Sequence, residues 1–134
     1  MLKEMIKYQL EELNYSDIEI NKILKYGGLP KAEKILFEKE KILFLDFATY
    51  TKDPLAVCLF SDDMLIVTDK RIIILLKRLL GTLVHEFPIK NIQSINYAGN
   101  HDNVIHISTL KDTYTIVVKK EKINEVKHIL YEMQ

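Results

Sequence analysis

The sequence predicts an α+β fold: a helical N-terminal segment, then antiparallel strands curled into a barrel or sandwich, then a closing C-terminal helix. Three observations predict it. Residues Met64–Lys77 read MLIVTDKRIIILLK, two apolar strands, Met64–Val67 and Ile72–Leu76, joined by a tight polar turn at Thr68-Asp69-Lys70-Arg71. That is the pattern of a β-hairpin. Before Glu40 the apolar period is three to four residues, and after it the period is two. The last dozen or so residues return to helical spacing.

The helical part comes first. Leu2, Met5, Ile6, Leu10 and Leu13 make one apolar stripe. Ser16 and Glu19 form S-x-x-E, in which each side chain satisfies a free backbone N–H at the start of a second helix. Tyr15 before the cap and Ile20 beyond it form a hydrophobic staple, and Ile20, Ile23 and Leu24 line one face. Gly27-Gly28 reads as a left-handed stop, and Pro30 suits the first turn of a third short helix over Pro30–Phe37.

Strands follow. Lys41–Tyr50, Leu55–Phe60, the two arms of the hairpin, Val84–Pro88, Ile92–Ala98, Val104–Leu110 and Thr113–Val118 are the candidates. Gly81, Gly99-Asn100 and Lys111-Asp112 supply turns between them. In Ile72–Leu76 both alternating sets are apolar, Ile72, Ile74 and Leu76 against Ile73 and Leu75. A strand with one wet face alternates apolar and polar, so this strand is expected to be covered on both sides. The candidate covers are the N-terminal helices or a second copy of the chain. The helices are preferred, because their own stripes need burial. The final helix, Lys122–Met133, sets Ile123, Val126, Leu130 and Met133 on a narrow stripe that closes an open end of the sheet.

Composition narrows the function. The chain has 134 residues, enough for one core. Its charges balance, 19 against 19, and no region carries the one-signed excess of a nucleic-acid groove. Helix two offers only Lys22 and Lys25 against Asp17 and Glu19, so nucleic acid is a poor partner. Balanced charge also leaves self-association unopposed. The single cysteine, Cys58, sits between Val57 and Leu59 and reads as a small core residue. No apolar run approaches the ~20 residues of a membrane span. The charged N-terminus lacks a signal-peptide core, so the expected location is the cytoplasm.

Catalytic chemistry is not legible. His85, His101, His106 and His128 make no metal-site spacing, and His106 reads as a packed or surface residue. Asp62-Asp63 would point to opposite faces of a strand and reads as a turn with solvated charges. No phosphate-cradling glycine loop and no nucleophile elbow occurs. No enzyme activity and no cofactor is expected.

Two stretches resemble a known family. Leu65-Ile66-Val67-Thr68-Asp69-Lys70-Arg71-Ile72-Ile73 is followed by Phe87-Pro88-Ile89-Lys90-Asn91-Ile92-Gln93-Ser94-Ile95, with Gly81 between them. In this order they resemble bacterial pleckstrin-homology domains of the YokE-like kind, over residues 40–134. Ile89 stands where that family often has an aromatic residue. The resemblance implies two nearly orthogonal sheets, about seven strands and a C-terminal helix plugging one corner, with no catalytic machinery. Residues 1–39 lie outside it, so the expected division is a helical segment, 1–39, and a pleckstrin-homology-like domain, 40–134. The turn Thr68–Arg71 is expected to be structural, with Asp69 bonding backbone N–H groups and Arg71 pairing with carboxylates nearby.

The fold's name invites lipid binding, but the basic pairs argue against a phosphoinositide clamp. Lys70-Arg71 and Lys77-Arg78 are seven residues apart on one strand, about 23 Å at ~3.3 Å per residue. Lys41 and Lys52 are too sparse to help. One candidate contact remains: Lys77, Arg78, Leu79, Leu80 and Leu83, a loop with an apolar tip beside two cations. Exposed, it can enter a bilayer interface or a partner's groove. The opposing expectation, because related domains commonly carry such a loop here, is that Leu79, Leu80 and Leu83 fold back onto the domain. The expected function is thus a non-catalytic binding module serving protein–protein interaction or self-assembly. The alternative is peripheral contact with anionic membrane through Lys77–Leu83.

Overall fold

The computed structural model describes residues 2–36, 39–50, 63–97 and 103–133. Among these residues three helices, α1 (Leu2–Glu12), α2 (Asp17–Leu24) and α3 (Leu29–Ile35), precede seven strands. These are β1 (Ile42–Tyr50), β2 (Asp63–Thr68), β3 (Arg71–Arg78), β4 (Gly81–Pro88), β5 (Ile92–Tyr97), β6 (Val104–Thr109) and β7 (Thr113–Val118). The helix α4 (Ile123–Glu132) follows. The expected strand Leu55–Phe60, with Cys58, lies outside the described residues, as do Lys52, Asp62 and His101.

All strand pairs are antiparallel, in the order β4-β3-β2-β1-β7-β6-β5. β1 serves both halves of this curled sheet. Ile42 to Phe47 pair with β2, and Ala48 to Tyr50 pair with β7. The two implied sheets are therefore one half-barrel, continuous through β1.

Two apolar clusters flank the sheet, and β3 contributes to both. Ile73 and Leu75 join Ile6, Leu10, Ile20, Ile23 and Leu29 of the helices on the outer face. Ile72, Ile74 and Leu76 join Phe87, Ile105, Ile107 and the α4 residues Ile123, Val126 and Leu130 on the inner face. The N-terminal helices are the second cover that the doubly apolar strand requires. Each such side chain taken out of water contributes ~1.5–3 kcal/mol.

The α2 cap forms as its S-x-x-E pattern predicts: the Glu19 N–H donates to Ser16 Oγ at 3.1 Å, and the Ser16 N–H donates to Glu19 Oε1 at 3.2 Å. The stop after α2 differs from the expectation. Lys25 caps the helix in right-handed geometry, and Gly28 (φ −87°) is also right-handed. Gly28 is required by space instead, since a Cβ there would come within 2.5 Å of the Tyr26 ring. The left-handed turn falls earlier, at Asn14 (φ 64°), between α1 and α2.

Candidate functional site

The hairpin turn at Thr68–Arg71 is a structural joint. Thr68 Oγ1 accepts from the Lys70 and Arg71 N–H groups at 3.2 and 3.1 Å, and donates to Glu40 Oε2 at 2.6 Å. The Asp69 side chain accepts from the Lys41 N–H at 3.0 Å. Arg71 is buried and donates to both oxygens of Glu40, to Glu86 Oε2 and to the carbonyl of Ile35. The Glu40 hydrogen bond, foremost, raises the guanidinium pKa above its ordinary value. Arg71 is thus committed inside the fold, and no phosphate clamp can be built on it.

The other end of β3 carries the candidate contact. The ladder with β4 runs unbroken from Arg71↔Pro88 to Arg78↔Gly81. The expected loop Lys77–Leu83 is therefore a two-residue turn, Leu79-Leu80, with Lys77 and Arg78 in β3 and Leu83 in β4. Gly81 closes it at φ 139°, a conformation that L side chains rarely adopt. The leucines do not fold back: Leu79 is 96% exposed, Leu80 98% and Leu83 59%. A hairpin this tight holds its two tip residues beyond the last ladder pair, where neither sheet face can reach them.

The flanking cations are partly engaged. Arg78 Nη1 donates to Asp63 Oδ1 at 3.0 Å, and Asp63 Oδ2 accepts from the Tyr50 N–H at 3.0 Å. Asp63 is buried, at 3% exposure, and is not the solvated turn charge that its sequence suggests. Lys77 Nζ donates to the Arg78 carbonyl at 2.8 Å, and its stem lies against Gly27. Lys70, Arg71, Lys77 and Arg78 do not converge on one point.

Beside the hairpin lies a group of rings that the sequence does not announce. His85 of β4 lies 5.0 Å from Tyr50 of β1 and 5.8 Å from Tyr114 of β7, and Phe87 stacks on Tyr114 at 4.7 Å. β1 and β7 are paired, but β4 is three strands from β1 in the sheet, so curvature brings His85 and Phe87 onto Tyr50 and Tyr114. The visible signal is the spacing of His85 and Phe87, which places both on one face of β4. Burial, above all, raises the Tyr114 pKa. The β6–β7 turn leaves the same end of β7, with Leu110 83% exposed. His106 is bonded to Thr115 Oγ1 at 2.9 Å across β6 and β7, as befits a packed strand residue.

Among the described residues no cluster of His, Cys, Asp and Glu has the arrangement of a metal site. No helix among them is long and apolar enough to cross a membrane.

Comparison with known proteins gives the same architecture. No curated protein sequence matches this chain. Among solved structures, the chain is similar to the DH/PH domain of human ARHGEF11 in its ternary complex with human RhoA and an inhibitor. That likeness has a TM-score of 0.59 at 11% identity over 77% of this chain and 31% of the other. It is also similar to a DUF1696 family protein with a pleckstrin-homology domain from Shewanella loihica PV-4, with a TM-score of 0.51 at 19% identity over 78% and 87% of the two chains. The N-terminal PH domain of human ARAP2 superposes with a TM-score of 0.52 at 16% identity over 74% and 84%. The chain spans about a third of the DH/PH chains it matches. These likenesses concern the fold.

The family described as "Bacterial PH domain" matches residues 34–132. Its match begins within α3, ahead of residue 40, and carries no finer subdivision. PH domains are typically binding modules for proteins or lipids and are generally non-catalytic. With the half-barrel, the terminal helix and the Thr-Asp-Lys-Arg hairpin in place, the sequence match over most of the chain decides the matter: the chain belongs to the bacterial PH domain family.

Proposed function

We propose that this protein is a non-catalytic module for protein–protein interaction or self-assembly, docking through the β3–β4 hairpin tip. One observation carries the reading: Leu79 and Leu80, on a fully laddered hairpin, are 96% and 98% exposed. Two large apolar side chains standing in water gain apolar burial on docking. The tip's charge favours a protein groove over an anionic bilayer. Arg78 is neutralised by Asp63, which leaves Lys77 as the main cation beside the leucines.

A photo-crosslinking residue placed at Leu80, in cells that make the protein natively, tests this. A discrete protein adduct from position 80, absent with the same residue at Lys7 of α1, is the expected result. Adducts at neither position, together with a monomeric sedimentation profile, would sink the reading.

The second reading is peripheral association with anionic membrane. It is favoured by the neighbouring β6–β7 turn, where exposed Leu110 precedes Lys111 and repeats the pairing of apolar tip and cation. Flotation with phosphatidylserine-containing vesicles separates the two. Salt-sensitive flotation lost in Leu79→Ser/Leu80→Ser would establish the membrane reading in place of the protein one.

A further inference from the structure

Among the described residues the strand β5 is an edge of the sheet: β6 pairs one side, and none of them pairs the other. Alternate backbone N–H and C=O groups along such an edge are unfilled and able to add a strand. A groove of about 440 Å³ runs between this edge and α4. Ile95 and Tyr97 of β5 and Leu130 and Tyr131 of α4 give it apolar walls, with Lys127 and His128 at its rim. Ile95 and Tyr97 are two residues apart and share a face, the period that an extended chain repeats. Tyr131 is 81% exposed, so its ring is largely without a protein contact.

The charges say what fits. His128 sits 3.9 Å from Glu132 of its own helix. Lys127 Nζ lies 4.7 Å from the centre of the Tyr97 ring, and no carboxylate pairs with it among the described residues. The groove therefore presents an apolar floor, an open hydrogen-bonding edge and one uncompensated cation. A second copy of the chain does not match this set. Its own β5, Ile92–Tyr97, carries no acidic residue, so two β5 edges pairing with each other would leave Lys127 unmatched.

We propose that the β5–α4 groove binds an extended segment of a partner protein by strand addition. The segment would carry apolar residues at alternate positions, seated against Ile95, Tyr97 and Tyr131, and an acidic side chain on Lys127. This surface shares no residue with the hairpin tip, and it stands or falls separately from the proposal above.

The test uses the full chain and a displayed library of random dodecapeptides. Enriched peptides are resynthesised and titrated by fluorescence anisotropy against the wild type, Lys127→Glu, Ile95→Pro and Leu79→Ser/Leu80→Ser. The expected peptides carry an acidic residue among alternating apolar ones. Lys127→Glu should weaken them about tenfold, in line with loss of one hydrogen bond to a charged group. Ile95→Pro, which removes an outward N–H from the edge strand, should weaken them further, and the tip double variant should leave them unchanged. Amide exchange across Ile92–Tyr97 should slow when peptide binds. Lys127 lies on the helix surface, so the Glu variant keeps the test valid even where the proline variant fails to fold. No enrichment over the display control, binding indifferent to Lys127→Glu, or unchanged exchange in β5 would each overturn the proposal.

Discussion

Arg71 and Glu40, 31 residues apart in the chain, form a buried two-pronged ion pair: Nε meets Oε2 at 2.8 Å and Nη2 meets Oε1 at 2.9 Å. The pair joins the exit of the helical segment to the central hairpin. Glu40 is 2% exposed and also receives the Thr68 hydroxyl, so its loss would leave a buried guanidinium short of its main counter-charge. Glu40→Ala should cost ~3–5 kcal/mol in urea unfolding. Replacing both partners by apolar residues, Glu40→Leu with Arg71→Met, should recover much of that loss. A double variant no more stable than the single one would show that the pair does more than neutralise itself.

Gly28 is held by the Tyr26 ring. Because a Cβ at position 28 would fall 2.5 Å from Tyr26 Cε2, Gly28→Ala must displace a ring buried between the helices and the sheet. The expected loss is ~1–3 kcal/mol, the usual cost of overpacking. Tyr26→Leu in the same background should relieve most of the alanine's own effect. Additive losses in thermal unfolding would place the strain elsewhere.

Leucines on this one hairpin should behave in opposite ways. Leu79→Ser/Leu80→Ser removes nothing from the core and should change stability by no more than ~0.5 kcal/mol per site. Leu75→Ala, in β3 of the same hairpin but buried under the helices, should cost ~2–5 kcal/mol. Equal melting temperatures for the tip variant and the wild type, with a large fall for Leu75→Ala, are the expected calorimetric result.

The ion pair between α2 and the entry to α4 should give a measurable pH dependence. Lys122 Nζ lies 2.7 Å from Glu19 Oε2, and its hydrogen bond foremost lowers the Glu19 pKa from the ordinary 4.5. The Lys122 pKa is raised from 10.5, because the Glu19 bond and nearby carboxylates outweigh the desolvation that opposes them. Glu19's depressed pKa stabilises the fold fully above pH 4.5, and that contribution is lost as pH falls through its lower folded value. Lys122's raised pKa stabilises the fold fully below pH 10.5, and that contribution is lost as pH rises through its higher folded value. The stability gap between wild type and Lys122→Met should therefore be flat near neutrality and shrink below pH 4.5. Urea midpoints from pH 7 to pH 3 measure it, and a gap independent of pH would refute the coupling.

The elements were legible because their signals are local. The capping box at Ser16 and Glu19, the period-two alternation of Ile105 and Ile107, and the stripe of Ile123, Val126 and Leu130 all depend on residues a few positions apart. The two apolar faces of Ile72–Leu76 even called for a second cover. Gly27-Gly28 suggests the wrong handedness because glycine serves two needs, positive φ and close approach, and only the Tyr26 ring tells them apart. Asp63 reads as a solvated charge in the sequence because its partners, Arg78 and the Tyr50 N–H, meet it only across strands.

Local pattern is enough for the order of helices and strands, the hairpin, the doubly covered strand and the separation of Lys70-Arg71 from Lys77-Arg78. Local propensity and hydrophobic period act within a few residues and are written in composition. Tertiary structure alone decided that α1, α2 and α3 supply the second cover, that Leu79 and Leu80 stand in water, and that an edge strand and α4 frame a groove around Lys127. Each of these depends on which distant surfaces meet when the sheet curls, and no short-range pattern carries that information.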